Sequence, residues 1–193
     1  MKYVKMLGLA VAAAVVMTAF AVSAATATTL EVGGIARTDS VELTASLTAG
    51  TSSVTKTTGQ TFANTCGIAH LNGSTSSPFT GVKVTIPLTS WSFSKCTEEA
   101  LTVDKPGKLY VEYKSGTNGT VFSEETEVTM PTPFGKVNCK TGAGTDIGTL
   151  TGVASGNTVV DINAVMNCGF LLPSAVWEGS YTITSPAGLG VTA

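Results

Sequence analysis

Val160-Asp161-Ile162-Asn163-Ala164-Val165-Met166-Asn167-Cys168 carries an apolar residue at every second position. Val160, Ile162, Ala164, Met166 and Cys168 fall on one side, and Asp161, Asn163 and Asn167 on the other. A period of two marks a half-buried strand, because successive side chains of a strand leave opposite faces. Ile162 to Val165 also fits one helical turn, but the alternation and the β-branched neighbours decide for the strand. This row predicts a buried Cys168.

The same period recurs along the chain. Val41, Leu43, Ala45 and Leu47 alternate with Glu42, Thr44, Ser46 and Thr48. Val82, Val84, Ile86 and Leu88 form another row, in which Pro87 predicts a sheet edge or the end of the strand. Turn signals at Pro106-Gly107, Asn118-Gly119 and Ser155-Gly156-Asn157 divide the rows. Asn118-Gly119 predicts a hairpin joining residues 108–114 to the strand around Val121. No sustained helical stripe follows the N-terminal region. The expected fold class is all-β, an antiparallel β-sandwich with a barrel as runner-up.

Composition agrees with the pattern. The 193 residues include 32 Thr and 21 Gly, with 12% charged and 43% hydrophobic, so strands and tight turns are favoured and a disordered chain is excluded. A net charge of −2 argues against a nucleic-acid partner. Lys2 and Lys5 followed by the apolar stretch from Met6 to Val22, then Ser23 and Ala24, read as a signal peptide over residues 1–24. An uncleaved membrane anchor is the competing reading; the small residues at the cleavage position and the lack of a basic flank weigh against it. No stable membrane span is expected after cleavage. Residues 25–193 then form one β-sandwich domain carrying 9 basic and 13 acidic groups. Pro131-Thr132-Pro133 is the candidate linker should there be two domains.

Cys66, Cys96, Cys139 and Cys168 all lie beyond the signal peptide. An even number in an exported chain predicts two disulfides, with three pairings open. Zinc would need close Cys-x2-Cys pairs, which are lacking. The two halves echo each other: Phe62 and Phe134 precede the first Cys of each pair, and a Thr-Gly-Val triplet precedes each second Cys. Gly107 and Gly179 follow the second Cys by the same interval, each leading into an alternating strand. This suggests pseudo-repeats at about 60–115 and 132–186. The echo favours Cys66–Cys96 and Cys139–Cys168.

Catalytic chemistry is sparse. His70 is the single imidazole, and Asn72-Gly73-Ser74 beside it reads as a loop, so an exposed or capping histidine is expected rather than a base. Glu98-Glu99 and the Glu124-Glu125/Glu127 cluster leave glycoside hydrolysis open, although adjacent strand residues diverge. Gly142 to Gly148 lacks the Gly-Lys-Ser/Thr ending of a phosphate loop and offers only Asp146 as a carboxylate for calcium; a flexible loop is expected. Catalytic residues, metal and cofactor are all expected to be none. Trp91 and Phe93 read as core beside a disulfide. Trp177 and Tyr181 are the candidate ligand contacts, although a core or rim position is the leading reading for Trp177.

The run from Asp161 to Gly179, with Tyr181 to Gly190 behind it, resembles exported bacterial β-rich proteins with paired cysteines that carry no assigned activity. The similarity covers mainly residues 138–190, with a looser match over residues 29–49, and implies bacterial origin and secretion without catalytic residues. Chaperone-usher pilins share the disulfide-bearing β-domain, but their penultimate Tyr is replaced by Thr192 here, which places the chain outside them. The expected function is therefore a non-enzymatic structural or adhesive protein that is secreted, periplasmic or on the cell surface. Its partners would be further copies of itself or a cell-surface glycan, and residues 28–35 are a candidate donor arm for strand addition. A monomeric module for a glycan or apolar ligand ranks second. A carboxylate-dependent glycan-active enzyme ranks third.

Overall fold

A computed structural model describes residues 27–58, 62–75, 81–170 and 172–193, so the expected signal peptide lies outside the described residues. Fifteen strands and no helix occur among them. The first half contains β1 (Thr29–Val32), β2 (Ile35–Ala36), β3 (Glu42–Leu47), β4 (Ser53–Thr57), β5 (Ala63–Ser74), β6 (Lys83–Cys96) and β7 (Thr102–Lys105). There follow β8 (Lys108–Ser115), β9 (Asn118–Glu124), β10 (Glu127–Thr132), β11 (Gly135–Lys140), β12 (Thr145–Thr151), β13 (Thr158–Asn167), β14 (Ser174–Ser185) and β15 (Leu189–Thr192). Every pairing is antiparallel.

The ladders close on themselves. Hydrogen bonds run β5–β6–β8–β9–β12–β13–β14, and β14 returns to β5 through two short strands set end to end. β4 joins Ala175–Glu178 of β14 to Ala63–Cys66 of β5. β3 joins Tyr181–Ser185 to His70–Ser74. The ring thus has eight strand positions, one of them shared by β3 and β4. Closure satisfies backbone groups that an open sheet would leave at its edges.

The rows read from the sequence line the inside. Val41, Leu43, Ala45, Val84, Ile86, Leu88, Ile162, Ala164, Met166 and Cys168 are buried in one continuous apolar cluster fed by both halves of the chain. Val82, expected in the same row, is 41% exposed at the mouth of β6. β15 and β1 pair with each other and lie against the β8–β9 end, where the Val191 N–H donates to the Thr117 carbonyl at 3.1 Å. At the opposite end, β11, β10 and β7 extend from β13. Among the described residues their ladder to the ring is a single pair, Lys140 with Asn167.

Local readings are replaced or refined in six places. The Asn118-Gly119 hairpin forms, but Ser115 pairs with Asn118, so the turn residues are Gly116 and Thr117. Gly116 supplies the left-handed φ of 60°, while Gly119 is needed inside β9 because a Cβ there would stand 2.5 Å from Val111 Cγ1. Asn72-Gly73-Ser74 belongs to β5 rather than a loop, at a bulge where Gly73 lets β5 approach the Pro87 carbonyl. Pro87 lies within β6, at the last rung of the β8 ladder, just before β6 takes up β5. The flexible loop after Cys139 is confined to a turn, because Thr145 to Gly148 already pair in β12. Pro131-Thr132-Pro133 ends β10 and turns towards β11, and within residues 28–35 Thr29–Val32 pair with β15 of their own chain, with Leu30 1% exposed.

Candidate functional site

Both disulfides form as the echo favoured, Cys66–Cys96 and Cys139–Cys168. Cys66 and Cys96 face each other across the β5–β6 ladder. Cys139 lies in β11, one residue before Lys140, and Cys168 follows Asn167, so the second bridge reinforces the one rung that ties the extension to the ring.

Trp177 and Tyr181, the candidate ligand contacts, are 4% and 3% exposed. They alternate along β14 into the interior and meet Trp91, with ring centroids 4.4 Å and 6.5 Å away, and Phe93 lies 5.6 Å beyond Trp91. Ser53 closes the cluster: its Oγ accepts the Trp177 indole N–H at 2.9 Å and the Tyr181 hydroxyl at 3.2 Å. Burial pushes the Tyr181 hydroxyl up to about 12, partly offset by Ser53 and the two indole N–H groups nearby. Trp91 Nε1 is buried with no hydrogen-bond partner among the described residues.

The titratable residues singled out in the sequence do not converge. His70 is exposed on β5 between Ser46 and Ser92. Glu124 accepts from the Tyr110 hydroxyl, which pushes that phenol up to about 12, and Glu127 pairs with Lys105 at 2.8 Å. No group of three His, Cys, Asp or Glu arranged for a metal ion occurs among the described residues.

The concave surface lies elsewhere, beside the second disulfide. A groove of about 420 Å³ is lined by Thr57, Phe62, Thr132, Phe134, Lys136, Val137 and Leu172. A second cleft of about 430 Å³ shares Phe62 and Thr132 with it and continues to Glu98, Glu99, Pro131 and Pro133. Two large apolar side chains near this end face solvent: Phe134 is 83% exposed and Phe170, two residues after Cys168, is 99% exposed. Exposed aromatics at the mouth of an apolar groove are the usual signature of a contact surface.

The acidic end is positioned by a buried amide. Asn64 is fully buried, donating through Nδ2 to the Glu99 carbonyl at 2.9 Å and accepting at Oδ1 from the Glu98 N–H at 3.3 Å. That grip holds the turn after Cys96, and Glu99 in turn draws Lys136 across at 2.8 Å. Glu98 and Glu99 were visible as an acidic pair in the sequence, and Phe62 and Phe134 as markers of an internal echo. Their convergence on one groove was not visible. The run Gly169-Phe170-Leu171-Leu172-Pro173, which breaks the alternation of β13, was the signal that could have pointed there. Compared with protein-family models, curated proteins and solved structures, the chain matches none.

Proposed function

We propose that this chain is a non-enzymatic structural or adhesive protein of a bacterial exterior, working by contact at the grooved end. The observation that carries the reading is the exposed Phe134 at a groove lined in part by Phe62, Val137 and Leu172, with Phe170 exposed two residues before Leu172. Leaving two phenyl rings in water has a cost of roughly 2–3 kcal/mol each relative to burial, which a covering partner removes. Two disulfides fit an oxidising compartment outside the cytoplasm. No helix among the described residues is long and apolar enough to cross a membrane. A closed ring suits a stiff carrier for such a surface. We read that ring as flattened towards a sandwich, a reading supported by Trp91 of β6 touching Trp177 of β14 although β5 and β3/β4 separate them around the ladder.

A module for a glycan or apolar ligand is the second reading, favoured by the junction of the phenyl-lined groove with the Glu98–Glu99 cleft. The test is Phe134→Ser with Phe170→Ser in the exported protein, both positions being exposed and so leaving the fold intact. Producing cells are expected to lose adherence or matrix formation, and the purified protein any assembly seen by sedimentation and electron microscopy. Unchanged adherence together with an unchanged, purely monomeric protein would overturn the contact reading.

A further inference from the structure

We propose that the outer edge of β11 accepts an added strand: an extended peptide segment with apolar side chains at alternate positions and a basic residue at one end. The inference rests on the contact reading above and names the surface and partner chemistry it uses. β11 is fully laddered on one side only. Against β10 it pairs at six positions, from Glu127 with Lys140 to Thr132 with Gly135, whereas against β13 it pairs only at Lys140.

The directions of the backbone groups follow from the register. Thr141 donates to the Thr126 carbonyl at 3.1 Å, so the odd-numbered residues of this segment point their N–H and C=O groups towards β10. Pro131, which has no N–H, sits opposite Lys136 in the β10 ladder, as a non-hydrogen-bonded position requires. Lys136, Asn138 and Lys140 therefore aim their backbone groups away from β10. On that side Lys140 is taken by Asn167, and Lys136 and Asn138 have no partner there among the described residues.

The groove lies on that open side. Val137, Phe62, Leu172 and Thr57 supply an apolar lining for alternate side chains of an added strand, with Phe134 at the tip. An edge lysine ordinarily discourages strand addition. Here Glu99 holds the Lys136 ammonium at 2.8 Å, occupying it away from the edge. Glu98 has no ion-pair partner among the described residues and lies in the adjoining cleft, which gives the end of the groove its preference for a cation. A second copy of this chain, being net acidic, suits the cleft less well than a basic-ended segment. Main-chain bonds would supply affinity, and the apolar pocket and Glu98 the selectivity.

The probe is a short capped peptide of alternating valine and threonine with a terminal lysine, titrated into the oxidised mature protein by fluorescence anisotropy. Saturable binding is expected, with new hydrogen-exchange protection at the Lys136 and Asn138 amides. Asn138→Pro removes an outward N–H without touching the β10 ladder and is expected to weaken binding about tenfold. Asn138→Ala, which loses only the side-chain bond to Asp104, should stay within about twofold. Peptide N-methylated on its edge-facing residues should fail against the unaltered protein, keeping the test sound should Asn138→Pro disturb folding. Absence of saturable binding, or binding indifferent to both the proline and the N-methyl groups, would overturn the proposal. Loss of adherence in the Phe134/Phe170 variant alongside that result would leave the contact reading standing and remove only the strand-addition account.

Discussion

The two disulfides close loops of nearly equal length, with sequence separations of 30 and 29, yet they do different work. Cys66–Cys96 is set into a long ladder that would hold β5 against β6 without it. Around it the aromatic cluster and Ser53 fill the interior. Cys139–Cys168 stands where the ladder thins: among the described residues one rung joins β11 to β13, while Val128, Met130 and Cys139 pack into the same core as the ring, and beyond them the edge of β11 opens onto a groove. The lesson is that the same crosslink sits inside a continuous ladder in one region and at the end of a ladder in the other, over one shared core. The fully laddered, stiff half carries the buried aromatic cluster, while Phe134 is exposed between β10 and β11 and Phe170 two residues after Cys168.

The largest expected effect lies in the stiff half. Trp177→Ala removes a buried indole and its bond to Ser53, and should cost about 3–5 kcal/mol in urea unfolding. A loss below 1 kcal/mol would mean that the cluster does not anchor β14. The buried position also makes this variant a test of stability, unfit as a test of ligand contact.

Removing each disulfide in turn sharpens the contrast. Cys66→Ser with Cys96→Ser and Cys139→Ser with Cys168→Ser should each lose about 3–4 kcal/mol, since the chain-entropy term depends on loop length. Native-state hydrogen exchange should separate them: only the second pair of changes is expected to raise exchange in β10 and β11 selectively. Equal local effects from both pairs would break the comparison.

Alkaline titration probes the aromatic cluster. Tyr181 is held neutral in the fold up to about 12, against an ordinary value near 10. Its contribution is complete below pH 10 and falls as pH rises towards 12, by about 2–3 kcal/mol, because the unfolded chain releases its proton first. Tyr181→Phe should flatten that part of the profile, and an unaltered profile would show that the hydroxyl is not buried.

The smallest predicted effect concerns the acidic cleft. Asn64→Ala leaves the Glu98 N–H and Glu99 carbonyl without their partner, costing about 1–3 kcal/mol, and should loosen the Glu98–Glu99 turn. Crystallography or exchange measurements showing an unmoved turn would argue that the disulfide alone positions it.

Much of the fold was legible because a sheet with one buried face writes itself as alternation, and the rows at Val41, Val84 and Val160 each became strands. Ring closure was not legible. It depends on β4, whose Ser53, Thr55 and Thr57 are the buried side chains, a polar-looking row that no hydrophobic pattern reports. For Trp177 the sequence left core and rim both open; it is buried, paired with Thr55 of β4. The groove was hidden for a third reason: Phe62, Phe134 and Leu172 come from turns and strand ends brought together by the Cys139–Cys168 bridge, far from one another in sequence.

Amide exchange of the native protein tests residue by residue whether β11 has an open edge. Lys136 and Asn138 should exchange fast while Val137 and Cys139, bonded into β10, stay protected. Slow exchange at all four positions would show that something already covers the edge, and would contradict the account.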